Sequence, residues 1–156
     1  MVLFFRVLTR LFILAFAYCL AVMAAMAALV VSIVGWRANF GGLDGGSPEE
    51  EVITLLFSGA FGLIAFFHIG LTAFTPAVVA GLITEAFSWR SIFVHVAAGG
   101  VIGLFLLNES GVYAGETPPQ QDLVITLAAG FVAGLVYWLI AGRNAGGWRM
   151  QTKASI

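Results

Sequence analysis

Three side chains in this otherwise apolar chain have the types needed for chemistry: His68, His95 and Glu85, with Arg90 five residues beyond the last. An imidazole titrates near neutrality, ligates metals and relays protons. Two of them facing each other in an apolar setting can ligate a b-type haem axially, line a quinone pocket or pass protons. The bland alternative is that each hydrogen-bonds a neighbouring carbonyl or hydroxyl and supports packing, and that alternative is favoured here. Glu85 and Arg90 are five apart, off the i,i+4 spacing that joins opposite charges on a helix. With Trp89 they read as an interfacial anchor, the arginine snorkelling and the indole at headgroup level.

The surroundings set the terms for these groups. Of 156 residues 61% are hydrophobic and only 10% charged, and the mean hydropathy is +1.03. A soluble domain runs near half apolar and a quarter charged, so lipid must be part of the solvent. Ionisable groups inside a bilayer are costly, which is why the histidines stand out. Seven scattered Lys and Arg make no basic stripe, which excludes a nucleic-acid binder. The one cysteine, Cys19, excludes an intrachain disulfide and a multi-Cys metal site, and reads as an inert packing thiol among alanines. No nucleophile–base constellation, phosphate loop, dinucleotide fingerprint or zinc motif is present.

The apolar runs imply four membrane spans, at about 11–35, 52–74, 87–107 and 123–141. The first outlasts a signal-peptide core, although Ala25 to Ala27 resembles a cleavage site, and is read as a retained span. Ser47, Pro48 and Glu50 form a capping box ahead of the second, which gives the three consecutive glutamates a place in its first turn. Thr117 and two prolines mark the start of the fourth. By the same chemistry Thr75 caps and Pro76 opens a new helix, so that residues 76–87 form a short interfacial helix between spans 2 and 3. A second span that continues through Pro76 is the alternative. On the first division His68 lies six residues from Phe74 and His95 eight from Phe87, about 9 and 12 Å into the cytoplasmic half. The two would then be level.

Charge sorting orients the chain. Arg6, Arg10, Arg90, Arg143, Arg149 and Lys153 fall on one side, and seven of the eight acids on the other, with Glu85 the exception. The positive-inside rule places both termini in the cytoplasm of a bacterial inner membrane. Each span also carries small residues at three- and four-residue intervals: Ala17, Ala21, Ala24, Ala28, Ser32 and Gly35 in the first, and Thr54, Ser58, Gly62, Ala65 and Thr72 in the second. Thr84, Ser88, Ser91, His95, Gly99 and Gly103 line the third region, and Thr126, Gly130, Ala133 and Tyr137 the fourth. Gly99/Gly103 and Gly130/Gly134 are GxxxG pairs, the helix-packing signature of membrane proteins.

The sequence therefore implies an all-α integral membrane protein of one domain, residues 1–156: a four-helix bundle with an interfacial helix. The expected role is non-enzymatic, with no metal and no cofactor. It is that of an accessory, assembly or structural component in the lipid bilayer, packing against itself as a homo-oligomer or against a larger membrane complex, without nucleic acid. A redox or proton-handling module, with haem b or quinone at His68 and His95, is the alternative. An oligomeric channel or carrier is a further one.

Overall fold

The computed structural model describes the backbone of residues 2–40, 48–113 and 115–145, and side chains over 4–5, 7–32, 60, 62–113 and 115–145. The capping box at Ser47–Glu50, the small residues Gly35, Thr54 and Ser58, and the basic side chains of Arg6, Arg37, Arg149 and Lys153 lie outside these. Among the described residues every regular element is helical: α1 (Val2–Phe40), α2 (Pro48–Phe87), α3 (Ile92–Glu109) and α4 (Gln120–Ile140), followed by a 3-10 turn at Gly142–Asn144. All four helices are long and apolar enough to cross a membrane, as a membrane bundle requires.

α2 corrects the expected division at Thr75-Pro76. The helix runs unbroken for 40 residues with Pro76 inside it, so there is no separate interfacial helix at 76–87. Proline removes one N–H and one i→i−4 bond. A true break would orphan up to four N–H and four C=O groups in a stretch that offers them few partners. One lost bond costs less than a broken helix. The real end of α2 comes at Ser88, whose φ of 54° is left-handed. There Ser88 N–H donates to Glu85 O (3.3 Å) and Trp89 N–H to Thr84 O (2.9 Å), the paired bonds of a Schellman motif. The third span accordingly begins at Ile92 rather than near Phe87.

The interior is built from small side chains. Buried positions include Ala17, Ala21, Ala73, Ala129 and Ala141, while Phe12, Phe67, Leu71, Phe93 and Val101 face outward at 64–81% exposure. Cys19 also points outward, so it is not the packed thiol that its alanine neighbours suggested. A soluble core sorts the other way. In lipid, large apolar side chains gain nothing by leaving the solvent, and close backbone approach through small residues supplies the attraction instead.

That approach is closest between α3 and α4. A Cβ placed on Gly99 would lie 2.2 Å from the Gly130 carbonyl oxygen, and one on Gly134 only 2.3 Å from the His95 carbonyl oxygen. Gly103 has the Thr126 carbonyl oxygen 2.9 Å from its hypothetical Cβ. α1 also packs along α4, with Ala17 fully buried. α2 touches its neighbours α1 and α3 much more sparsely.

The α3–α4 loop is tied by Tyr113, whose hydroxyl donates to the Asp122 carboxylate in the first turn of α4. That bond, followed by lesser burial and the charge of Asp122, raises the Tyr113 pKa above its ordinary 10.0, because ionisation would set a phenolate beside a carboxylate.

Two measurements check these contacts. Gly99→Ala should destabilise the folded protein by about 1–3 kcal/mol, since the obstacle is backbone and cannot yield cheaply. Gly62, with nothing within 4 Å of a hypothetical Cβ, should accept alanine with little change or a slight gain. Equal effects in reversible unfolding in mixed micelles would contradict the close α3–α4 contact. In a Tyr18→Phe/Tyr137→Phe background only Tyr113 remains to titrate. Its ultraviolet titration should lie above the usual phenol range and fall back towards it with Asp122→Asn; an Asp122→Asn curve that overlays its parent would refute the bond.

Candidate intramembrane site

The four small-residue faces do not close on one another completely. Between them lies a cavity of ≈290 Å³, bounded on α1 by Tyr18, Ala21 and Ala25, and on α2 by His68, Thr72, Ala73 and Thr84. α3 contributes His95, Gly99 and Ile102, and α4 contributes Ala129, Ala133 and Tyr137. The sparse attachment of α2 explains the space. Among the described residues α2 is held to α1 by polar contacts at two places: the Tyr18 hydroxyl donates to the Gly70 carbonyl, and Arg10 pairs with Glu85. Between these ties the small residues of α2 face the cavity.

Both histidines border this space, but not at one level. His68 is 19 residues before the end of α2, about 28 Å along the helix. His95 is three residues into α3, about 4 Å from its start. Because α2 continues through Pro76, His68 is carried towards the far end of the bundle. The end where α2 stops and α3 begins keeps His95. The expected level pair is therefore corrected: the two rings are some 24 Å apart along the helices, too far for one group to bridge. His68 is also exposed, whereas His95 is 4% exposed.

His95 sits in a defined setting. Its Nδ1 is 2.9 Å from the carbonyl oxygen of Ser91, one turn earlier. A carbonyl only accepts, so Nδ1 carries the proton, and in the neutral ring Nε2 is left as an acceptor. Nε2 is buried and has no partner among the described residues. The ring stacks on Tyr137, with centroids 5.9 Å apart at 26°. Gly142 closes the other side: a Cβ there would lie 2.8 Å from Nε2 and 3.0 Å from Trp138 Cδ1.

Glu85 does not pair with Arg90. Its partner is Arg10 of α1, whose Nε donates to Glu85 Oε1 at 3.0 Å while a terminal amino group reaches both the same carboxylate and, at 2.9 Å, the Ala141 carbonyl. The two side chains are only 15% and 13% exposed. One guanidinium thus ties α1 to α2 and to the end of α4, where the Ala141 carbonyl also accepts from Asn144 N–H at 3.3 Å. Arg90 turns instead to the segment that follows α4. Its Nε donates to Ala145 O at 3.0 Å, and its own carbonyl accepts from Trp138 Nε1 at 2.8 Å. Trp89 stacks on Phe87 at 5.3 Å and is 46% exposed.

Sequence reasoning missed Arg10, Tyr18 and the depth of His68. A usable signal for the first was present: Glu85 is the lone acid on the basic side, and Arg10 borders the first span at the same end. Among the described residues no three His, Cys, Asp or Glu side chains gather as a metal site.

If the ion pair secures α2, removing both partners should cost less than the two single losses added together. Arg10→Met or Glu85→Met alone should destabilise by up to about 3 kcal/mol, because a largely desolvated charge loses its counter-charge. The double variant should be more stable than the sum of the two losses implies, with a coupling of roughly 1–2 kcal/mol in a double-mutant cycle. Additive losses would show that the two side chains do not act on each other.

Comparison with protein-family models, curated proteins and solved structures finds no match to this chain.

Proposed function

We propose that this chain is a small, non-catalytic, multi-pass protein of the bacterial inner membrane with both termini cytoplasmic. In this reading it is an accessory or assembly component, packing against a second copy or a larger membrane complex. The supporting observation is the asymmetry of the bundle: α1, α4 and α3 pack in a continuous series, while α2 is attached sparsely. Outward from that helix project Leu63, Ile64, Phe67 and Leu71, each more than 60% exposed. In lipid such a surface is neutral, so a partner helix can replace lipid there at little cost. The segregation of Lys and Arg supports the orientation.

A proton- or quinone-handling role centred on His95 is the second reading, favoured by its Nε2, which has no partner among the described residues. It excludes bis-histidine haem ligation within one chain, given the separation of the two rings.

A photo-crosslinking residue at Leu71, with Phe93 on α3 as the comparison site, tests the accessory reading in native membranes. The expected result is a discrete protein adduct from Leu71, identified by mass spectrometry as a second copy or a membrane partner. Lipid adducts alone from both sites, with a monomer on mild solubilisation, would count decisively against it.

A further inference from the structure

Protein interiors pack to crystal density and seldom leave a gap larger than a water molecule. The ≈290 Å³ between these helices is such a gap, and it is long rather than round. Its walls run from Thr84 to His68 on α2 and from His95 to Ser110 on α3, about 24 and 22 Å of helix. On α1 and α4 they cover about 16 Å each. Spread over such a length, the volume leaves a mean section of roughly 15 Å². That is a slot one alkyl chain wide.

The two ends differ. Thr84 and His95 at one end are each 4% exposed. At the other end His68, Glu109 and Ser110 are all exposed. The slot is therefore closed where α2 stops and α3 begins, and open where α3 stops. Between the ends the walls offer a polar guest little. The hydroxyls of Thr72 and Thr84 donate to carbonyls of their own helix at 2.9 Å, and that of Tyr18 donates to Gly70. Water needs two to four polar partners, and alanines and glycines supply none from their side chains. An unfilled slot forfeits dispersion along its whole length. The charge at the mouth is one-sided: the sequence around the α1–α2 and α3–α4 connections carries seven of the eight acids and one base, Arg37.

We infer that the slot holds one acyl chain of a membrane phospholipid whose headgroup carries an amine. The chain enters where α3 stops, passes Leu106 and Ala129, and points towards the closed end; the second chain of the same lipid stays in the bilayer outside. One leaflet of the hydrocarbon core is about 15 Å deep, so a lipid anchored at the mouth fills most of the slot from its ordinary position. The acids around the mouth choose the headgroup. They attract an ammonium group and repel a free fatty-acid carboxylate or a phosphatidylglycerol, which has charge of the same sign and no amine. The site stands whether or not the protein has a protein partner.

The test uses the full chain in phosphatidylglycerol nanodiscs holding a trace of phosphatidylethanolamine with a diazirine in one acyl chain. After photolysis the adducts are mapped by mass spectrometry. They should appear on Ala129, which lines the slot and is 4% exposed, as well as on the outward Phe93 and Val101. Excess unlabelled phosphatidylethanolamine should remove the Ala129 adduct and leave the outward ones. Diazirine-bearing palmitate or phosphatidylglycerol at the same fraction should label Ala129 roughly two- to fivefold less, the worth of one exposed charge contact. Glu109→Gln should narrow that gap. Ala133→Phe should abolish the Ala129 adduct by filling the slot, with Val101 labelled as before. Ala25→Phe on the opposite wall repeats this test should Ala133→Phe disturb the α3–α4 contact. Adducts on outward residues alone, an Ala129 adduct that excess lipid does not compete away, equal labelling by palmitate, a gap untouched by Glu109→Gln, or undiminished labelling in a wall variant with native circular dichroism would each overturn the assignment.

Discussion

The absence of a hydrophobic driving force between helices in lipid is the constraint from which the rest of this structure follows. A leucine inside such a bundle is no better off than a leucine outside it, so what holds helices together is distance. Gly99 and Gly130 bring two backbones so close that no side-chain atom fits between them. At that range carbonyl dipoles and Cα–H groups of facing helices act on each other directly, and dispersion is collected over the whole contact. The outward turn of the phenylalanines is the other half of the same arrangement.

Small residues give close packing only where two of them meet. α3 and α4 offer glycine to glycine, but α2 offers alanines and threonines to a cavity, and its contacts with α1 and α3 are sparse. The polar ties then matter more for α2 than for any other helix. Arg10 joins it to α1 and α4 at one end, and Tyr18 joins it at Gly70 further along. Pro76, between them, removes one backbone bond from a helix with limited lateral support. Among the described residues, the most sparsely packed helix thus also borders the cavity.

How much of this was legible beforehand varies with the range of the interaction. Helix number and type follow from runs of apolar residues, a property of neighbours in sequence, and the four helices are where those runs are. The small-residue stripes are likewise local, and Ala17, Ala21, His95, Gly103, Gly130 and Gly134 do lie buried. Pro76 was misread because Ser/Thr-Pro looks the same whether it opens a helix or passes through one. The outcome depends on whether freed backbone groups have water to turn to, which tertiary depth decides. The error carried forward, since moving a helix end by 13 residues moves His68 by about 20 Å. The Arg10–Glu85 pair joins positions 75 apart in sequence, and no periodicity reports such a contact.

That displacement also decides between the two histidines. Equal in the sequence, they differ in every physical respect that matters for binding. His68 is exposed on a sparsely packed helix, where its ring has access to partners outside the protein. His95 is enclosed by Tyr137 and Gly142, and Ser91 commits its Nδ1 proton. Its tautomer is set by the backbone, so Nε2 keeps its lone pair in the neutral ring without help from a second side chain. Gly142 has no room for a side chain beside that ring, so the two positions are fitted to each other.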